Sequence, residues 1–218
     1  MSSDPVGGYI LFPATLTRAD LIAVILESME LAPDEFEVRL PEEDGFPRLP
    51  EDGFPFRTEE PVEYALDLLA QEESGVLVGR GSKIAETFWL EPMIATYQPV
   101  TIWVSATAMR YSRSSDAVEF FATRWLHLCE KGKAVFGYFT PFSFMFEREY
   151  LRDTILPALQ KGDLSRLQNA DINWLIYLGP ELAERWRQEQ TPFPSPPLIS
   201  QDLPSGAHFF RTRTSVFD

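Results

Sequence analysis

The sequence predicts an α+β fold, with a mixed and mostly antiparallel sheet packed by several helices. Three observations carry that expectation. Short β-branched and aromatic runs are interspersed with segments whose apolar residues recur at helical spacing. Many of the runs are joined by connections short enough for hairpins, which link antiparallel neighbours. No long linker interrupts the 218 residues, so residues 1–218 are expected to form one domain. A 44% apolar and 24% charged content suits a globular core, and 17 Phe, 7 Tyr and 5 Trp should make that core rich in rings.

The elements follow in order. Residues 9–13 read as a short strand closed by Pro13. Thr17 caps a helix over 18–30, with Asp20 in its first turn and Leu21, Ile22, Ile25, Leu26 and Met29 on one face. Residues 35–40 alternate and suit a strand, and residues 41–57 form an acidic, proline-rich loop with two Asp-Gly turns. A second helix begins at Pro61, with Val62, Tyr64, Ala65, Leu68 and Leu69 as its buried stripe. Residues 76–78 and 84–90 are paired strands about a turn at 79–82, and 100–107 is the strongest strand.

In the second half, Asp116 and Glu119 form a capping box for a helix that Gly132 stops. Its buried face is Val118, Phe121, Ala122, Trp125, Leu126 and Cys129. A strand over 134–139 comes next. A helix over 147–160 must bend or end near Ile155, because Pro157 lacks an N–H and crowds the preceding turn. Residues 172–178 form a strand and Pro180 opens a short helix through Arg187. A proline-rich connector at 191–197 leads to a terminal strand over 208–217.

Charge is distributed unevenly along this framework. Residues 30–73 hold fifteen Asp or Glu against three Arg, whereas residues 74–218 hold fifteen of each sign. The chain's net charge of −14 is therefore mostly local. Adaptation to a salty solvent would spread the acids over the whole surface; segregation suggests a local purpose. At its centre the pentapeptide Glu-Asp-Gly-Phe-Pro occurs twice, at 43–47 and 51–55. Such a field suits a basic partner, although a solvated acidic loop explains the same residues.

The usual chemical motifs are missing from the sequence. His127 and Cys129 are two apart on a helix, so they face different ways, and with His208 they do not make a zinc set. No nucleophile elbow holds a serine, and Cys129 lies on an apolar stripe where a thiolate is disfavoured. The segment Val78-Gly79-Arg80-Gly81-Ser82-Lys83 lacks the phosphate-loop spacing and reads as a hairpin. The acidic loop fails the calcium-loop pattern. No cofactor or metal is expected. A negative face would repel nucleic acid. The start lacks a signal peptide, no apolar run is long enough for a membrane span, and one cysteine suits a reducing, cytoplasmic setting.

Residues 171–182, Asp-Ile-Asn-Trp-Leu-Ile-Tyr-Leu-Gly-Pro-Glu-Leu, precede a proline-rich stretch and then Leu203-Pro-Ser-Gly-Ala-His-Phe-Phe. This order resembles immunity-type proteins of bacterial polymorphic-toxin systems, over residues 134–218. The resemblance implies binding and neutralising a toxin without catalysis, and assigns no functional residue. The sequence reading is thus a non-catalytic binding protein facing a basic partner. Glu42, Glu43, Asp44, Glu51 and Asp52 would meet the partner's cations, and Phe46 and Phe54 would serve as apolar anchors. The alternative is an enzyme whose carboxylate-based site the sequence does not display.

Overall fold

The computed structural model describes residues 5–30, 36–40, 62–80, 85–105, 115–140, 149–167, 173–189 and 196–214. The fold is α+β, as expected, and every strand pairing among the described residues is antiparallel. The strands are β1 (Pro5–Pro13), β2 (Phe36–Arg39), β3 (Gly75–Arg80), β4 (Ala85–Leu90), β5 (Tyr97–Ser105), β6 (Phe136–Thr140), β7 (Leu175–Leu178), β8 (Ile199–Asp202) and β9 (His208–Arg211). They form one sheet in the order β2-β3-β4-β5-β1-β6-β7-β9-β8. No parallel pair appears among them, which corrects the mixed sheet expected from sequence. β8 was not foreseen, and the last strand ends at Arg211, well before residue 217.

Helices cover both faces. The first face carries α1 (Arg18–Met29), α2 (Val62–Gln71) and α3 (Ser115–Lys131), and its core includes Ile10, Phe12, Ile25, Leu77, Phe88, Phe121, Trp125 and Trp174. The second carries a π-helical turn (Leu151–Ile155) running into α4 (Leu156–Lys161), then α5 (Leu164–Leu167) and α6 (Pro180–Glu189). Its core gathers Tyr9, Leu11, Tyr138, Ile155, Ile176 and Phe210. Because both faces are covered, β6 and β7 are buried at every position and lack the alternation of a half-solvated strand. Phe121, Phe139 and Trp174 meet ring to ring, with centroids 4.8 to 6.1 Å apart.

Several local expectations hold for the anticipated reasons. The Thr17 hydroxyl accepts from the Asp20 amide at 3.1 Å and starts α1. Pro157 falls in the first turn of α4, and the chain widens into the π-turn just before it. There the Leu156 N–H reaches back to the Leu151 carbonyl, a five-residue step that ends one helix and opens the next. β3 and β4 pair as the predicted hairpin. Tyr64 departs from expectation: it is 51% exposed, while Ala65 and Leu69 are buried. One residue is about 100° of helical turn, so a stripe on 65 and 69 rotates 64 outward.

The centre of the sheet is also its tightest point. Gly8 of β1 lies between Ile102 of β5 and Phe139 of β6. A Cβ there would sit 2.0 Å from the Tyr138 carbonyl oxygen and 2.6 Å from the Phe139 Cα, both backbone atoms that cannot rotate away. Gly8→Ala should therefore part β1 from β6 and cost about 3 kcal/mol, the upper end for overpacking. Urea denaturation of the purified variant checks this; a loss under about 1 kcal/mol would show that the two strands yield.

Candidate functional site

The seven residues singled out in sequence (Glu42, Glu43, Asp44, Phe46, Glu51, Asp52 and Phe54) lie outside the described residues. What can be placed are the acids that flank them. Glu37 of β2 is buried and its carboxylate meets the Arg39 guanidinium at 2.9 Å, so one negative charge is neutralised within the strand. Glu30, Glu63, Asp67, Glu72 and Glu73 are all exposed, and none has an ion-pair partner among the described residues. Glu63 and Asp67 are one turn apart on α2, which packs on β2, and the exposed ring of Tyr64 lies beside them. The β2 end of the sheet thus presents a negative surface with an aromatic ring in it.

A second cluster is internal. Glu86 of β4 faces the first core, where its Oε2 lies 3.2 Å from Nη2 of Arg124 on α3. Arg124 also donates to the Ser28 and Met29 carbonyls at the end of α1, at 3.3 and 2.7 Å. One guanidinium therefore ties a strand and two helices. The cavity around the pair has room for about one water, ≈ 10 Å³, and is walled by Phe88, Ile102, Phe121 and Leu128. Ser28 Oγ and Trp125 Nε1 also line it and, among the described residues, are buried without a hydrogen-bond partner. Burial raises the Glu86 carboxyl to about 7, and the nearby Arg124 charge offsets only part of that rise. One carboxyl in a space for one water cannot admit a substrate, so this cavity is not the two-acid cleft that a carboxylate enzyme requires.

The third cluster sits at the opposite edge, on the β8–β9 hairpin. Residues 203–207 form a tight turn in which the Gly206 N–H donates to the Leu203 carbonyl at 2.9 Å and the Leu203 N–H to the Ala207 carbonyl at 3.0 Å. Gly206 has φ +89°, a value that suits a residue without a side chain. The turn sets Asp202 directly opposite His208. His208 Nδ1 lies 2.9 Å from Asp202 Oδ1, and its Nε2 lies 2.9 Å from Ser200 Oγ. The imidazole is buried against Trp186 of α6 and Phe210, with centroids 4.5 and 4.4 Å away. Arg187 donates Nε and Nη2 to the same Asp202 oxygen, both at 3.1 Å. His208 first, then Arg187, holds the Asp202 carboxyl below its usual range.

Sequence reasoning missed this array. Ser200, Asp202 and His208 carry no motif spacing, and β8 has no apolar signature because all four of its residues are exposed. The usable signal was the Leu203-Pro-Ser-Gly-Ala turn, whose length fixes which residues oppose. Cys129 is fully buried and its thiol is pushed well up, chiefly by desolvation, while His127 is exposed on α3. No group of three or more His, Cys, Asp or Glu side chains among the described residues could hold a metal ion. No helix among them is long and apolar enough to cross a membrane. No family model matches the chain, and no curated protein or solved structure matches it.

The Glu86 shift has a measurable consequence. A carboxyl raised from 4.5 to about 7 binds its proton more tightly in the folded state. Its contribution is fully present below pH about 4.5 and is lost as pH rises through about 7, on the order of 3 kcal/mol for a shift of this size. Glu86→Gln removes that titration. Guanidinium denaturation from pH 4.5 to 8 should show wild-type stability falling relative to the variant across this window; parallel curves would refute the assignment.

Proposed function

We propose that this chain is a binding protein that captures a basic protein through the negative surface at the β2 end of its sheet. The observation that supports it is the exposed carboxylates of Glu63 and Asp67 beside Tyr64, joined by exposed Glu30, Glu72 and Glu73, none of them ion-paired among the described residues, in a segment of fifteen acids against three Arg that precedes a charge-balanced remainder. Unpaired surface charges of one sign draw an oppositely charged protein from a distance and speed encounter more than they strengthen the final complex. Tyr64 supplies what charge does not, an apolar ring able to be desolvated at the centre of a contact. The resemblance of residues 134–218 to immunity-type proteins gives this reading its finer form: the partner is a toxin domain, and the mode of action is occlusion of its working face.

Occlusion requires no chemistry at the acidic surface, only a fast and lasting encounter. The test takes a panel of basic toxin domains as probes, with stopped-flow association of any that binds measured over a salt series. Replacing Glu63, Asp67, Glu72 and Glu73 together by Lys should slow association about 10-fold or more at low salt. Tyr64→Ala should leave association unchanged and speed dissociation. Equal, salt-independent association rates for wild type and the four-fold variant would overturn the proposal.

A further inference from the structure

We propose that Ser200 is an acyl-accepting nucleophile, activated by His208 and Asp202, that acts on small carboxylic esters at the open edge of the sheet. The hydrogen-bonding roles follow from the partners. Asp202, already accepting twice from Arg187, can only accept, so whenever the imidazole carries a single proton that proton is on Nδ1. Nε2 is then the acceptor, and the Ser200 hydroxyl donates to it across 2.9 Å. A serine bonded to an imidazole whose far nitrogen is held by a carboxylate is the arrangement that activates an oxygen for attack.

The strand register adds the second requirement. The Leu203 N–H donates to the Ala207 carbonyl, so it points toward β9, and because backbone N–H groups alternate in direction along a strand, Asp202–His208 and Ser200–Phe210 are unbonded pairs of the ladder. Two consequences follow. Side chains in unbonded pairs approach most closely, which brings Asp202 to His208. The N–H of Ser200 points away from β9, and β8 is the last strand of the sheet, so that N–H faces the open edge. Among the described residues nothing accepts from it, so it can donate to the oxyanion that forms when its own Oγ attacks a carbonyl. Leu198, two residues earlier and 59% exposed, offers apolar surface for a short acyl chain.

The step balances without any co-reactant but water. Ser200 Oγ bonds to the ester carbonyl carbon as its proton passes to His208 Nε2. The tetrahedral oxyanion collapses, the carbon–oxygen bond to the alcohol breaks, and the departing oxygen takes the proton from His208. Water then attacks the acyl-serine, giving one proton to His208; the carboxylic acid leaves and Ser200 recovers its hydrogen.

This activity is independent of the proposed partner capture, because β8 and β2 are opposite edges of a nine-stranded sheet, roughly 40 Å apart at the usual strand spacing. The probe is 4-nitrophenyl acetate with the full chain, following nitrophenolate release and the site of acetylation by peptide mass spectrometry. Wild type should release nitrophenolate and carry acetyl on Ser200; Ser200→Ala, an exposed position, and His208→Gln should each lower the rate on the order of 10²-fold. Asp202→Asn should lower it as well, and covers the case in which His208→Gln does not fold. His127→Gln should leave the rate unchanged. Equal rates for wild type and Ser200→Ala, acetyl found on lysines alone, or dependence on His127 instead of His208 would each overturn the proposal.

Discussion

β1 has water on neither face, and the rest of the fold follows from that constraint. It is hydrogen-bonded along both edges, to β5 and to β6, while Ile10 and Phe12 enter one core and Tyr9 and Leu11 the other. An antiparallel sheet ordinarily leaves one face to solvent. Here apolar side chains project both ways, so helices are needed above and below. The first half of the chain supplies α1 and α2 to one face, and α3 joins them there. The later helices α4, α5 and α6 supply the other. The covering is dense with rings, because wide gaps between a twisted sheet and several helices are filled most fully by large flat side chains.

Charge inside this frame is placed where it joins elements. α3 is the clearest case. Its Arg124 reaches Glu86 on β4, its Glu119 receives Arg211 of β9 at 2.7 Å, and its Glu130 accepts from Tyr177 of β7 at 2.7 Å and from Ser205 of the last hairpin at 2.8 Å. The helix is thereby tied to both halves of the sheet by polar contacts as well as by Phe121 and Trp125. A buried ion pair is a weak source of net stability, since desolvation opposes the attraction. Its effect here is to define one register of helix on sheet, because any sliding of α3 would strand several charges at once.

How much of this was legible in the sequence depended on which physical signal each residue carried. The capped start of α1, the break at Pro157 and the β3–β4 hairpin were readable because their causes are local. The doubly buried strands could be found as apolar runs, yet their place at the centre of the sheet could not, since strand order is settled by contacts between distant segments. Tyr64 was misplaced because a stripe of apolar residues on a short helix fits more than one rotation. The Ser200–His208–Asp202 array left no trace, because three residues on a hairpin become neighbours only once the turn has fixed which positions oppose. The acidic segment was plain from composition, and the structure adds that Glu30, Glu63, Asp67, Glu72 and Glu73 are open to solvent while Glu37 is buried against Arg39.

The position of β1 also bears on how the chain comes to fold. Both of its neighbours are made much later: β5 begins at Tyr97 and β6 ends at Thr140. During synthesis an apolar segment with two open edges must wait for more than half of the chain before its pairing is complete. Pairings so distant in sequence close slowly, and a waiting strand of this kind is prone to capture by other nascent strands. The sheet's innermost strand in the finished protein is therefore its most vulnerable one on the ribosome.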